Sequence, residues 1–225
     1  RAAVCRLHWH AAVARSREEV AGPAPDLPAL EFFNGLGGFA DDGKEYVTIL
    51  QGGRCTPVPW INVLANPGFG FQVSAEGSAC TWSGNSRENR LTPWSNDPVE
   101  DRSGEVLYVR DDDRGMLFGP TALPVRHKTG AYVVRHGRGY SRFEHTRHEI
   151  ALDLLQFVPA DDPIKVSRLR VRNLSGRTRY LTVAAYAEWV LGTSRATTAP
   201  FVATQMDAVT GAMLARNLWS DTGAT

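Results

Sequence analysis

From Glu31 onward the apolar residues of this chain tend to recur at every second position within short runs, and each run is closed by Gly, Pro, Asn or Asp. Successive side chains of an extended strand point to opposite faces, so a period of two is what a half-buried β-strand needs and what a helix cannot use. The clearest run is Glu149 to Val158, where Ile150, Leu152 and Leu154 share one face and Asp153 takes the other. By the same reasoning strands are predicted over Tyr46 to Leu50, Phe69 to Ser74, Glu105 to Arg110, Ala131 to His136 and Tyr140 to His145. Ile164 to Arg172 and Tyr180 to Leu191 flank Asn173-Leu174-Ser175-Gly176-Arg177, a glycine-containing turn that suits an antiparallel hairpin. In the first of these two runs the apolar phase shifts from Ile164 and Val166 to Leu169 and Val171, which predicts a bulge or strong twist near Ser167. In the second, Leu181, Val183, Ala185, Ala187, Trp189 and Leu191 share a face that is predicted to be core. Many short strands with no long helices between them predict an all-β fold, a large antiparallel two-sheet β-sandwich.

The first residues follow a different period. Val4, Leu7, His8, Ala11 and Ala12 recur at helical spacing, with Arg6, Arg15, Arg17, Glu18 and Glu19 available for the outer face, so a short N-terminal helix is predicted. Gly22-Pro23-Ala24-Pro25-Asp26-Leu27-Pro28 ends it as an extended linker. The expected organisation is helix and Pro-rich linker over 1–29 and one β-sandwich domain over 30–225, a usual size for a single all-β domain. The missing initial Met and the ending Ser220-Asp221-Thr222-Gly223-Ala224-Thr225 read as a piece of a longer protein.

Twenty-five Lys+Arg against 24 Asp+Glu leave a formal charge of +1, which disfavours a nucleic-acid partner. Cys5, Cys55 and Cys80 contain no Cys-x-x-Cys pair, which argues against a disulfide framework and for a reducing compartment, although a Cys55–Cys80 bridge stays open. No apolar run reaches the ~18 residues of a membrane span and no signal peptide is visible, so a cytoplasmic location is expected.

Catalytic and metal chemistry finds little support. His145 and His148 lie three apart, an offset that sends them to opposite faces of a strand, so no metal site is expected. Gly137-Arg138-Gly139 lacks the third glycine and the βαβ setting of a dinucleotide site and reads as a turn. Asp41-Asp42, Asp111-Asp112-Asp113 and Asp161-Asp162 sit beside Gly or Pro and read as turn formers rather than as a glycosidase pair.

One polar stretch stands out. Ser86 to Pro98 gathers guanidinium, carboxylate and amide groups that can exchange hydrogen bonds with hydroxyls, an indole that can stack on a pyranose ring, and two prolines that restrict the backbone. Arg87, Glu88, Asn89, Arg90, Trp94, Asn96 and Asp97 are the candidate sugar-contacting residues, with Trp60, Asn62, Asn66 and Arg142 as weaker ones. Trp60 and Phe69 are expected in the core instead, and an ion-pair network with Glu88, Asp97 or Glu144 competes for Arg87 and Arg90.

That stretch, together with Phe32-Phe33-Asn34-Gly35-Leu36-Gly37-Gly38-Phe39, the run from Thr56-Pro57-Val58-Pro59-Trp60 to Phe69-Gly70-Phe71, and His136 to Glu144, resembles the N-terminal β-sandwich domain of the cellobiose-phosphorylase-like glycoside phosphorylases. Within them it is most similar to the phosphorylase-like region of cyclic β-1,2-glucan synthases and to the 1,2-β-oligoglucan phosphorylases. The resemblance implies a β-glucan or oligosaccharide substrate, inorganic phosphate used by the parent, and a C-terminal (α/α)6 barrel that carries the general acid. It therefore places no catalytic residue and no cofactor in this chain. It also implies that the sandwich packs on the barrel, with an apolar patch left where it does so, and that its loops reach toward the acceptor side, sometimes across a homodimer. A cyclic glucan synthase parent would make this the cytoplasmic part of an inner-membrane protein. The competing expectation is a stand-alone carbohydrate-binding or structural sandwich.

Overall fold

The computed structural model describes residues 27–95, 97 and 99–219. The predicted N-terminal helix lies outside the described residues, and so does Asn96. Fourteen strands follow one another along the described chain: β1 (Gly37–Ala40), β2 (Glu45–Gln51), β3 (Ile61–Asn66), β4 (Phe69–Ser74), β5 (Ala79–Ser83), β6 (Glu105–Asp111), β7 (Met116–Phe118), β8 (Ala131–Gly137), β9 (Tyr140–Arg147), β10 (Ile150–Phe157), β11 (Val166–Asn173), β12 (Leu181–Ala187), β13 (Val202–Met206) and β14 (Met213–Asn217). A four-residue helix, α1 (Arg195–Thr198), and one 3-10 turn (Ala199–Phe201) separate β12 from β13.

One layer is a six-stranded antiparallel sheet in the order β1-β2-β8-β9-β10-β11. The other is divided into two three-stranded sheets, β3-β4-β5 and β12-β6-β7, and β13 pairs with β14 as a separate hairpin. The inner face of the large sheet meets both small ones. Phe143 and Leu154 pack with Leu64, Phe71 and Val73 of the first, while Ile150 and Leu152 pack with Val109 and Phe118 of the second. Burying a side chain of this kind contributes ~1.5–3 kcal/mol, so these two clusters hold the layers together.

Local chemistry explains the tight turns. Arg138-Gly139 joins β8 to β9 with Gly139 at φ +87, and the chain just before it must be glycine too, since a Cβ on Gly137 would lie 2.5 Å from the Tyr140 ring. His148 and Glu149 join β9 to β10 with both residues at positive φ, as are Asp41 and Asp42 between β1 and β2. The turn reading of the first aspartate pair holds.

Two polar groups inside the sandwich gather several partners each, which offsets the cost of taking them from water. Asn62 of β3 reaches within 3.1 Å of Gly137 O, Tyr140 O and Ser141 Oγ. Glu105 accepts from Lys165 at 2.6 Å, Thr81 at 2.5 Å and Thr92 at 2.6 Å. Burial pulls its carboxyl upward in pKa, but Lys165 and the two hydroxyls outweigh burial and hold it below the ordinary value. Asp111 does more than form a turn, in which its Oδ1 accepts from Asp113 N at 3.1 Å. It is fully buried and takes the equally buried Arg179 at 2.5 Å, while Arg179 also donates to His148 O at 2.8 Å.

Three expectations change. The segment after Asn173 does not close a hairpin: β11 pairs with β10 and β12 pairs with β6, so the chain crosses from one layer to the other there. The register of β10 with β11 runs unbroken from Ile150↔Asn173 to Phe157↔Val166, so no bulge lies at Ser167. The apolar face of β12 does point inward, opposite Val109, yet Val183 remains 51% exposed. Cys55 and Cys80 are both free thiols.

Candidate functional site

The stretch singled out in the sequence links β5 to β6, and its Arg90 bridges both Trp82 of β5 and Gly192. Asn85 starts it with an Asx turn, its Oδ1 accepting from the amides of Arg87 at 2.8 Å and Glu88 at 3.0 Å. The turn pushes both side chains outward. Arg87 is exposed and pairs with the neighbouring Glu88 at 3.2 Å. Asn89 is half-buried and its carbonyl accepts from Ser83 N.

Arg90 has a different setting. Its backbone exchanges hydrogen bonds with Gly192, its Nε donates to Ser86 O at 3.0 Å and its Nη1 to Thr193 O at 2.9 Å. Its guanidinium also lies over the Trp94 ring, 5.1 Å from the centroid. Arg90 thus ties the loop to the segment ahead of α1 and holds the indole in place. Trp94 keeps 43% of its surface exposed even so. Asp97 accepts from the amides of Val99 at 2.8 Å and Glu100 at 3.0 Å, and those amides, Glu100 first, hold its carboxyl below the ordinary pKa.

Beneath Trp94 runs a shallow groove of about 50 Å³ lined by Gln72, Ser74, Ser78, Asp97, Asp101 and Arg102. A larger cavity of about 320 Å³ adjoins it, sharing the walls Glu100, Asp101 and Arg102 and continuing to Thr56, Glu76 and Leu123. Asp101 is half-buried there and accepts from Ser74 Oγ. Burial raises its carboxyl pKa, partly offset by the serine hydroxyls. Glu76 closes the far wall, bonded to Thr56 and to Arg126. Glu100, Asp101 and Arg102 were missed in the sequence because they follow the second proline of the stretch, where its pattern of amides and indole stops. Among the described residues no group of three or more His, Cys, Asp or Glu is placed to hold a metal.

The four weaker candidates are occupied by the fold. Asn62 spans the layers as described, and Asn66 donates to Pro159 O at 2.9 Å and Asp162 O at 2.8 Å. Arg142 forms a two-pronged pair with Asp153 at 2.8 and 2.9 Å on the outer face of the large sheet. Trp60 packs against the main cluster with its ring edge-on to Tyr46, and Phe69 is buried. Of the expected network of Arg87 or Arg90 with Glu88, Asp97 or Glu144, the Arg87–Glu88 pair is the one that forms among the described residues.

Residues 44–225 match the model of the glycosyl hydrolase 94 supersandwich domain. The chain is 48% identical to the cyclic beta-(1,2)-glucan synthase NdvB of Rhizobium meliloti (strain 1021) over 206 residues, which is 91% of this chain and 7% of that protein. It is 28% identical to an N,N'-diacetylchitobiose phosphorylase of Vibrio furnissii over 68% of this chain and 19% of that protein. It is 29% identical to a solabiose phosphorylase of Paenibacillus borealis over 70% of this chain and 20% of that protein. The chain therefore spans at most a fifth of the length of these curated relatives.

Proposed function

Because the chain belongs to the glycosyl hydrolase 94 family, of which it carries the supersandwich domain, we propose that it serves as the non-catalytic β-sandwich of a larger enzyme handling β-glucans, a cyclic β-1,2-glucan synthase or a glycoside phosphorylase. The observation that carries this is the 48% identity to a cyclic glucan synthase across nine-tenths of the chain. The length of the relatives supports a domain of a longer enzyme over a stand-alone binding module. In this reading the sandwich lies against a catalytic (α/α)6 barrel elsewhere in the polypeptide, and the β13–β14 hairpin with its exposed Met206, Val209 and Met213 offers an apolar surface for that contact.

The loop from Arg87 to Asp97 then shapes the acceptor side. Trp94, propped by Arg90, offers an indole to a sugar ring, and Arg87, Glu88 and Asp101 offer hydrogen-bond partners around it. Each such bond replaces one to water and yields ~0.5–1.5 kcal/mol net, so the loop contributes one wall of a site rather than a whole one. The test is acceptor kinetics with β-1,2-gluco-oligosaccharides in the intact parent enzyme. Trp94→Ala and Arg87→Ala are expected to raise the acceptor KM or lower kcat while leaving the melting temperature in place. Unchanged kinetics with a lowered melting temperature would assign the loop to packing and end the sugar-contact reading.

A further inference from the structure

The two layers end on β11 and β12, and among the described residues neither strand has a neighbour on its outer side. Registers fix which side chains turn into the sandwich. Leu169 and Val171 lie opposite the core residues Leu154 and Leu152, and Val183 lies opposite the fully buried Val109, so all three face inward. Leu169 and Leu181 touch the same buried cluster, which brings the two edge strands together across the layers. Yet Val171 is 41% and Val183 51% exposed. Inward-facing valines that remain open to solvent mark a seam where the sandwich is not closed. A cavity of about 360 Å³ enters between the layers on this side, lined by Leu107, Leu154, Ser167, Ala185, Trp189 and Met213.

The outward face of the same edge is charged. Arg168, Arg170 and Arg172 alternate with the inward residues and share the face of Asp153 and Arg142. On that face Arg135 and Arg142 already take up Glu45, Glu144 and Asp153. No ion pair involves the three edge arginines among the described residues. At two residues per repeat they stand ~7 Å apart along the strand.

We propose that the seam takes one further β-strand from another part of the longer polypeptide, hydrogen-bonded to the free edge of β11. Its apolar side chains turn inward beside Val171 and Val183, and its outward carboxylates lie opposite Arg168, Arg170 and Arg172. The alternation of β11 requires this pattern, since a partner in register must present apolar and acidic residues at every second position. A second copy of this chain is the wrong occupant for β11, because antiparallel self-pairing would set one arginine row directly against another. A helix would cover the valines but leave the edge amides without partners. The relatives supply ample chain for such a strand, since this sequence spans at most a fifth of their length.

The experiment compares the 225-residue chain with the full native gene product. Val171→Cys and Val183→Cys are labelled with a thiol reagent, and amide exchange is followed through β11, both read by mass spectrometry. In the longer protein the two thiols are expected to react at least about tenfold more slowly, and alternate β11 amides to exchange at least about tenfold more slowly, than in the short chain. Arg168→Glu with Arg172→Glu, which face Leu155 and Ala151 across β10, is expected to lower the melting temperature of the longer protein and leave that of the short chain in place. Equal labelling in both proteins would overturn the proposal. So would protected thiols with freely exchanging β11 amides, the signature of a helix, and so would concentration-dependent protection in the short chain, the signature of a second copy.

Discussion

Asp111→Asn should destabilise this fold strongly, because it leaves the Arg179 guanidinium charged where water does not reach. The two side chains are 1% and 0% exposed at 2.5 Å. At an effective dielectric of about 20 their gross attraction is roughly 7 kcal/mol, most of which offsets the cost of removing both charges from water. Removing one partner forfeits the attraction but keeps the desolvation, which costs about 3–5 kcal/mol in buried pairs. Arg179 retains His148 O at 2.8 Å and Asp113 at 4.0 Å, so the lower end, about 3 kcal/mol, is expected here. For a domain of this size that corresponds to a melting temperature lowered by about 6–12 °C. Urea denaturation of the single and double variants measures it. Asp111→Leu with Arg179→Met should lie well above the sum of the single losses, since neither charge is then left buried. An Asp111→Asn variant within about 0.5 kcal/mol of the parent would mean that the guanidinium reaches water and that the pairing energy has been misjudged.

Two further outcomes follow from buried titratable groups. Burial, only partly offset by the Trp60 backbone, holds His136 down at about 4 from 6.5; the unfolded chain binds the proton that the native state refuses, so stability is full above pH 6.5 and falls by about 3 kcal/mol as the pH drops to 4. Urea melts across that window should show the loss and a His136→Leu variant should lack it, whereas equal slopes in both would remove His136 as the cause. Burial first, then Glu105, pushes the Cys80 thiol up to about 12, while Cys55 is exposed. Iodoacetamide at pH 8 should therefore modify Cys55 in the native protein and Cys80 only on unfolding, and equal rates at the two would contradict the packing around Cys80.

The strands that could be read from the sequence are those whose alternation feeds a buried cluster. Ile150, Leu152 and Leu154 give β10 directly, because all three meet the opposite layer. β1, β3, β5, β7, β13 and β14 were not legible: β1 and β7 have four and three residues, β3 buries only Leu64, and the hairpin leaves Met206, Met213 and Leu214 exposed, so burial imposes no clear period on them. The crossover after Asn173 was misread as a hairpin because Asn173-Leu174-Ser175-Gly176-Arg177 specifies a change of direction and nothing more. Which strand receives β12 is set by Val109 and Asp111, far upstream. At the candidate site the residue types were legible and their tasks were not. Arg90 is held by the carbonyls of Ser86 and Thr193, and no pattern of side chains announces a partner that is backbone.

The pairing of β6 with β12 has a consequence for biosynthesis. The Asp111–Arg179 contact joins residues 68 positions apart, so β6 leaves the ribosome long before the strand that completes its sheet. β8, β9 and β10, joined by two-residue turns, can zip as they emerge. β6 must meanwhile wait with one open edge, and a nascent chain halted before Ala187 leaves Val106, Val109 and the buried-to-be Asp111 without the strand that covers that edge. Translation speed across residues 112–187 therefore sets how long the domain stays sticky.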